Sequence, residues 1–197
     1  MNIIVAADEN WGIGYEGGLL YSIPEDRKFF KRMTLGKTVV MGRKTLQSLP
    51  GGAPLRGRKN IVLSRSGGGT KYSDNAGGGD KKTVAFSGES SGPNACGAVF
   101  CASVAELYKL LSPYKMDDVF IIGGQEIYER LINYCAAAYI TKIEGAVRAD
   151  RFFPNINNMG GWQIESESAP KTYGGLVYRF IKYSNCHVLS MVTNTAL

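Results

Sequence analysis

Short apolar runs recur along the chain and are separated by glycine-rich or polar residues. Ile3–Ala7, Thr38–Met41, Asn60–Ser64 and Val119–Ile122 are nearly continuous in apolar side chains. Runs of this length without polar alternation are typical of central strands that are buried on both faces. These segments are therefore predicted to form the centre of a sheet, and Ala98–Cys101 is predicted to add a further short strand.

Helical spacing follows the first of these runs. A glycine-rich loop from Trp11 is predicted to lead into a helix that begins near Pro24 and ends near Thr34, since proline fits the first turn of a helix. Ser22 and Glu25 have the S-x-x-E spacing of a capping box. On the 3.6-residue period, one face carries Asp26, Phe29, Phe30 and Met33, and the other carries Arg27, Lys28, Lys31 and Arg32.

Three further helices are predicted after later strands. A short one runs from Gly42 through Leu49, and another from about Gln125 to Asn133. Ser103 is expected to cap the third. Its apolar positions have i, i+3, i+4, i+7 spacing: Val104, Leu107, Tyr108 and Leu111.

The last third of the chain is predicted to complete the sheet. Ala138–Ile143 reads as a buried strand, and Trp162–Glu167 and Leu176–Tyr183 alternate as an antiparallel pair at a sheet edge would. Strands that alternate with helices indicate a single α/β domain over residues 1–183, with a mostly parallel sheet of about eight strands and helices on both faces. Residues 184–197 are expected to form a tail.

Residues 66–97 interrupt this pattern. They contain nine of the 25 glycines, few large apolar side chains and no periodicity. Such a segment has little apolar surface to bury and much backbone entropy to lose. We predict a long surface loop that connects two strands passively and takes no direct part in ligand binding.

The net charge of +6 lies entirely in the first third of the chain. Residues 1–65 contain 11 Lys and Arg against five Asp and Glu, whereas residues 66–197 contain 12 of each. This imbalance favours an anionic ligand near the first third. No basic run is interleaved with aromatic residues, so nucleic acid is not expected as a partner.

The remaining composition argues against several other classes. The four cysteines contain no C-x-x-C pair, and His187 is the only histidine, so a metal site is not expected. The apolar run Ile3–Ala7 is too short for a signal peptide or a membrane span. We expect a cytoplasmic protein with no membrane association and with reduced thiols.

Asp26 is the first candidate functional residue, because it falls on the apolar face of its predicted helix. A carboxylate there is costly unless it is paired, protonated or bonded to a ligand. The alternative is an acidic residue in a first turn that simply complements the helix dipole. The motifs that follow favour the functional interpretation.

Glycines and cations follow three of the predicted central strands. Gly123-Gly124 lies between a strand and a helix, where glycines let a backbone approach an anion closely. Met41-Gly42-Arg43-Lys44-Thr45 and Ser64-Arg65 occupy comparable strand ends, where ligands bind in open α/β sheets. Any one of these could be a tight turn or surface charge, but together they predict a nucleotide with several phosphates.

The order of these motifs resembles the dihydrofolate reductase family. The resemblance covers residues 1 to about 65 and about 98 to 183. It is carried by Trp11-Gly12-Ile13-Gly14, Pro24-Glu25-Asp26 with Phe29-Phe30, Met41 to Thr45, Arg58 to Ser64, Ile121 to Gly124 with Tyr128, Thr141, and Asp150 with Phe153-Pro154. Where many members have Pro-Trp, this chain has Leu20-Tyr21, which keeps an aromatic side chain at the second position.

The resemblance implies reduction of 7,8-dihydrofolate to tetrahydrofolate by NADPH. Asp26 would bind the pterin ring and favour protonation at its N5. Thr141 would support Asp26 through a hydroxyl contact. Tyr21, the aromatic residue that stands where many members have Trp, would be the third catalytic residue. Arg58 would hold the glutamate carboxylate of the substrate. The implied pterin pocket consists of Ile4, Val5, Leu19, Phe30, Leu49 and Ile122.

The resemblance also implies a cofactor site. Ala6 and Ile13 would border the nicotinamide, and Gly14 would also bind the cofactor. The pyrophosphate would lie on Gly123, Gly124, Gln125, Glu126, Ile127 and Tyr128, and the adenosine end with its 2′-phosphate on Gly42, Arg43, Lys44, Thr45, Leu63, Ser64 and Arg65.

Two alternatives remain open from the sequence. One is a pterin- or pyrimidine-reducing relative of the same fold, against which Asp26 and Arg58 argue because they match a pteroylglutamate. The other is a non-catalytic module that binds a nucleotide or a folate. We expect a monomer, and we expect the chain length to leave no room for a fused thymidylate synthase.

Overall fold

A computed structural model of the protein describes residues 1–65 and 97–190. Residues 66–96, which make up all but the last residue of the predicted insertion 66–97, and residues 191–197 of the tail lie outside this description. Within it, the strands are β1 Asn2–Ala7, β2 Gly12–Tyr15, β3 Gly18–Leu19, β4 Thr38–Gly42, β5 Lys59–Leu63, β6 Ala98–Cys101, β7 Val119–Ile121, β8 Ala137–Ile143, β9 Arg151–Phe152, β10 Trp162–Glu167, β11 Lys171–Tyr173 and β12 Leu176–Asn185. The helices are α1 Pro24–Thr34, α2 Arg43–Ser48, α3 Val104–Leu111 and α4 Gln125–Leu131.

Nine of the described strands form one sheet, in the order β10-β12-β8-β1-β7-β4-β5-β6, with β11 paired to β12. From β8 to β6 all neighbouring pairs are parallel. Strand β12 is antiparallel to β8, and both β10 and β11 are antiparallel to β12. The predicted mostly parallel α/β sheet of about eight strands, with an antiparallel C-terminal pair, is confirmed.

Successive residues of the central strands enter two different hydrophobic clusters. Ile3, Val40 and Ile121 pack in the cluster that contains apolar residues of α3 and α4. Ile4 and Phe120 pack in the cluster that contains apolar residues of α1 and α2. Because side chains alternate across a strand, α1 and α2 cover one face of the sheet and α3 and α4 cover the other.

The start of α1 differs from the prediction. Its N-cap residue is Ile23, and no side chain there bonds a free backbone N–H. The predicted capping box of Ser22 and Glu25 is wrong, because the Glu25 carboxylate accepts a hydrogen bond from Tyr178 and pairs with Lys171. The cap predicted at Ser103 is confirmed, since its hydroxyl accepts a hydrogen bond from the Glu106 N–H.

A second, smaller sheet was not expected from the sequence. Strands β3, β2 and β9 form it, in that order. Strands β2 and β3 fall within the segment that was predicted as a glycine-rich loop. They are only four and two residues long, which is too short for a periodic pattern to reveal.

The end of the sheet also extends beyond the predicted boundary. Strand β12 continues to Asn185, past the domain limit at residue 183. The following residues are bonded to the body of the protein, since the Leu189 N–H donates to the Asn133 carbonyl. His187 is exposed. No helix within residues 1–65 and 97–190 is long and apolar enough to cross a membrane.

Residues 66–96 lie between β5 and β6 along the chain, and these two strands are parallel neighbours in the sheet. Asn60 pairs with Ala98 and Leu63 with Cys101, so the connection has to return along three residues of strand, roughly 10 Å. We expect a link of about eight Gly and Ser residues in place of residues 68–95 to span this distance. Because loop closure entropy grows slowly with length, the free energy of unfolding should change by about 1 kcal/mol or less. Thermal melting measures it, and a large loss of stability would show that the segment belongs to the fold.

Candidate active site

The carboxyl group of Asp26 lies between α1 and the sheet. The Thr141 hydroxyl, on β8, donates a hydrogen bond of 2.6 Å to Asp26 Oδ1. Thr141 is buried, with 1% of its surface exposed. The predicted pairing of these two residues is therefore present in the structure, and it joins the first turn of α1 to β8.

Burial governs the protonation of Asp26. Desolvation raises the pKa of its carboxyl group, and the Thr141 hydrogen bond and the charge of Arg27 oppose this rise. Tyr128, on α4, is buried nearby and donates from its hydroxyl to the Ile4 carbonyl at 3.0 Å. A carboxyl group in this environment can hold a proton at a higher pH than an exposed aspartate can.

The predicted pterin-pocket residues are brought together only in part. Ile4 lies in a hydrophobic cluster against which Phe30, Leu49 and Ile122 pack. Val5 packs against the cluster on the opposite face. Leu19, on β3, is 83% exposed, so it contributes no wall to a pocket in this conformation.

Arg58 lies near the far end of α1. Its Nε donates to the Thr34 hydroxyl at 3.3 Å, and its guanidinium also donates to the Arg56 carbonyl. Thr34 follows Asp26 by eight residues on the same helix, which corresponds to about 12 Å along the axis. Asp26 and Arg58 can therefore contact opposite ends of an elongated substrate that lies along α1.

The predicted phosphate motifs meet at the edge of the sheet that is formed by the carboxyl ends of its parallel strands. The Gly42 N–H, at the end of β4, donates to the Gly123 carbonyl, just after β7, at 2.8 Å. The Gly123–Gly124 peptide is cis. A Cβ atom would meet Ile127 at 3.1 Å if added to Gly42, and the Thr45 hydroxyl at 3.3 Å if added to Gly124. This close packing gives a physical reason for glycine at both strand ends.

Cations flank this edge. Arg43 and Lys44, in the first turn of α2, are exposed. Arg65 follows β5, and its guanidinium lies 3.8 Å from the Glu126 carboxylate across the edge. Ser64 is buried, and its N–H donates to the Cys101 carbonyl. The structure thus places the predicted adenosine-end residues at the carboxyl ends of neighbouring strands.

The other predicted cofactor residues lie on this side of the sheet or in the small sheet. Gly14 is buried, and its carbonyl accepts from the Asp150 N–H. Gln125 uses its side chain to accept from the Phe152 N–H at 2.9 Å, which ties α4 to β9. Ala6 and Ile13 are half-buried, and Leu63 is buried.

Tyr21 lies beside the carboxylate of Asp8. Burial and the carboxylate of Asp8 raise the pKa of the Tyr21 phenol. Asp8 is itself fully buried and accepts from the backbone N–H groups of Asn10 and Gly12. This acid joins the end of β1 to the segment before α1. Sequence reasoning missed it, because an acid that directly follows a strand ordinarily belongs to a turn.

Lys142 was also missed. Its ammonium donates to the carbonyls of Asp8 and Glu9 and lies 3.7 Å from the centroid of the Trp11 ring. Desolvation lowers the pKa of Lys142 to about 8, although both acids oppose the shift. Within residues 1–65 and 97–190, no group of three or more His, Cys, Asp and Glu side chains could hold a metal ion.

Comparisons with known proteins show the family of the chain. A sequence model of the family described as "Dihydrofolate reductase" matches residues 1–185. A dihydrofolate reductase of Neisseria gonorrhoeae is 32% identical over 188 residues, which cover 93% of this chain and 96% of the relative. A dihydrofolate reductase of Enterococcus faecalis, solved as a complex with NADP(H) and RAB-propyl, is 26% identical with a TM-score of 0.70, and the match covers 94% of this chain and 95% of that one.

Other relatives are longer. A bifunctional dihydrofolate reductase-thymidylate synthase of Glycine max is 34% identical over 195 residues, which cover 92% of this chain but 33% of the relative. The chain thus spans about a third of the length of the bifunctional plant relatives that it matches. Its match to the family model and its nearly full-length similarity to the Neisseria gonorrhoeae enzyme show that the chain belongs to the dihydrofolate reductase family.

Proposed function

We propose that this protein reduces 7,8-dihydrofolate to 5,6,7,8-tetrahydrofolate with NADPH and so supplies one-carbon metabolism. The observation that carries the proposal is the half-buried Asp26 carboxyl group, bonded to Thr141 beside an apolar cluster. The glycine-lined edge of the sheet, with its cations, lies at the ends of neighbouring strands. One ionisable group is sufficient, because the reaction needs one hydride and one proton.

Asp26 performs the acid-base part of the reaction. Because burial raises its pKa, a fraction of the carboxyl groups remains protonated at a pH where an exposed aspartate is ionised. Its oxygens bind the pterin ring and favour the protonated form of N5. The Thr141 hydroxyl holds Oδ1, which fixes the direction of the remaining lone pairs toward the substrate.

The residues at the carboxyl ends of the parallel strands fit NADPH. The nucleotide phosphates would lie along Gly42 and Gly123–Gly124, the two strand ends that glycine allows to pack closely together. Arg43, Lys44 and Arg65 would receive the adenosine end, and Ala6 and Ile13 would border the nicotinamide. NADPH, when bound, supplies the hydride.

The apolar residues orient the substrate. Phe30, Leu49 and Ile122, which share a cluster with Ile4, contact the pterin and exclude water from its reacting bond. Arg58 binds the glutamate carboxylate at the other end of α1. Asp26 and Arg58 together favour a pteroylglutamate over a smaller pterin or pyrimidine.

Loss of the near-ultraviolet absorbance of NADPH on addition of dihydrofolate tests the activity. We expect turnover that requires both compounds. NADPH binding without turnover would instead indicate a non-catalytic binding module. We further propose a cytoplasmic monomer that binds no nucleic acid, since no basic run is interleaved with aromatic residues; sedimentation analysis tests the oligomeric state.

The pKa of Asp26 also predicts a stability effect. The pKa of Asp26 is higher in the folded protein than in the unfolded protein. The contribution of Asp26 to stability is therefore fully present where the carboxyl group is protonated in both the folded and the unfolded protein. It is lost as the pH rises through the pKa of the folded protein. The ionised carboxylate therefore destabilises the fold at neutral pH. We expect Asp26→Asn to raise the melting temperature at pH 7 by a few degrees, and the difference should shrink below the pKa of an unfolded aspartate. Thermal melting between pH 3 and pH 8 provides the test.

A further inference from the structure

The first turn of α1 is attached to two strands through two consecutive acids. Asp26 accepts from Thr141 on β8, and Glu25 accepts from the Tyr178 hydroxyl on β12 at 2.7 Å. Strands β8 and β12 are neighbours, and Phe180 pairs with Thr141. Tyr178 lies two residues before Phe180, so its side chain projects from the same face as that of Thr141.

Tyr178 is well placed to hold its partner. Only 1% of its surface is exposed, and its ring contacts Phe180 edge-on with centroids 5.7 Å apart. Burial and the Glu25 carboxylate raise the pKa of Tyr178 to about 12, so its phenol stays protonated and donates. The bonds from Tyr178 and Lys171 lower the pKa of Glu25, so Glu25 stays ionised and accepts.

The attachment supports the start of the helix, because the N-cap residue, Ile23, has an apolar side chain that cannot cap it. Consecutive residues of a helix are rotated by about 100° around its axis. The apolar face of α1 packs on the sheet and limits its rotation. Within that limit, a second bond through Glu25 fixes the first turn more closely than the bond through Asp26 alone. The orientation of the first turn determines where the second oxygen of Asp26 points.

We infer that Tyr178 is a positioning residue for the reaction: its bond to Glu25 sets the rotation of α1 and thereby aims the Asp26 carboxyl group at the substrate. This inference rests on the proposed function, because it concerns Asp26 as the acid. Tyr178 does not contact the reacting atoms and acts only through the helix.

Tyr178→Phe removes the hydroxyl and keeps the buried ring. We expect the single-turnover rate of hydride transfer at pH 7 to fall about fivefold, because small misplacements of a catalytic group are costly, while NADPH affinity stays within about twofold of the parent. Tyr183→Phe is the matched control. Tyr183 is on the same strand, is buried, and donates to the Asn157 side chain at 3.0 Å, away from Asp26. Its loss should leave the rate unchanged.

Repeating the Tyr178→Phe substitution in an Asp26→Asn protein distinguishes a positioning effect on Asp26 from a general loss of stability. In an Asp26→Asn protein the aimed carboxyl group is gone, so adding Tyr178→Phe should reduce the rate no further. An undiminished fivefold loss there, or equal losses in Tyr178→Phe and Tyr183→Phe, would overturn the inference. If the parent protein does not oxidise NADPH with dihydrofolate at all, the proposed function fails instead.

The ligand-free protein offers a readout that does not depend on activity. The groups that face Asp26 are Arg27 on its own helix, Thr141 on β8, Tyr128 on α4 and Tyr178 on β12. The Thr141 bond favours the carboxylate, so a looser bond should raise the titration midpoint of Asp26. A carbon-13 NMR titration should show a higher midpoint in Tyr178→Phe and the parent value in Tyr183→Phe. Unchanged midpoints in both variants would contradict the positioning role.

Discussion

Asp26→Asn is expected to lower the rate of hydride transfer at neutral pH by about 10²-fold or more, which is the usual contribution of a positioned acid-base group. The parent rate should fall as the pH rises through the elevated pKa of Asp26, because the carboxyl group loses its proton there. The variant lacks this titration. Its rate should rise only in acid, where the substrate is protonated directly from solvent. Single-turnover measurements across pH, in which the NADPH-bound protein is mixed rapidly with saturating dihydrofolate, follow the hydride transfer itself.

Asp117→Asn provides a matched control for this result. Asp117 is an exposed acid in the turn before β7, at the opposite edge of the sheet from the phosphate motifs. Its replacement removes the same charge and should leave the pH profile unchanged. A pH profile for Asp26→Asn that is identical to that of the parent would show that another group governs protonation.

The second large effect concerns the choice of cofactor. Replacing both Arg43 and Lys44 with Gln is expected to weaken NADPH binding strongly and NADH binding little, since only NADPH carries the 2′-phosphate. Each charged hydrogen bond to a phosphate contributes about 1.5–3 kcal/mol, which corresponds to roughly tenfold to a hundredfold in affinity. Fluorescence titration of both dinucleotides measures the two dissociation constants.

Lys115→Gln with Arg130→Gln is the control pair for this experiment. Both side chains are exposed, and each lies away from the ends of β4 and β5. Their loss removes the same net charge, so it reports the general effect of charge on dinucleotide binding. Equal losses for NADPH and NADH in the Arg43 and Lys44 variant would mean that these cations are solvated surface groups.

The central part of the fold could be predicted because its signals are local. Ile3–Ala7 and Val119–Ile122 are apolar without alternation, and the helix around Asp26 has a clear 3.6-residue spacing. The capping box that was wrongly predicted shows the limit of such local signals. Ser22 and Glu25 have the right spacing, but Glu25 forms a stronger set of bonds with Tyr178 and Lys171, more than a hundred residues away.

The candidate site, too, was predictable only in part. The pairing of Asp26 with Thr141 came from the family resemblance, since no local pattern relates residues so far apart. Asp8 and Lys142 were missed because their roles depend on burial beside Trp11, which the sequence does not display. The exposure of Leu19 likewise depends on β3, a strand too short to recognise.

The position of β1 in the sheet has a consequence for how the chain folds. Strand β1 precedes the other strands of the described sheet along the chain, yet Asn2 pairs with Phe120 and Ala137, over a hundred residues later. Its apolar side chains therefore have no sheet partner until most of the chain has been synthesised. Contacts of such high sequence separation slow folding and leave the early chain exposed to aggregation. Helix α1, with its local contacts, can form sooner, but it acquires its final orientation only when β8 and β12 arrive.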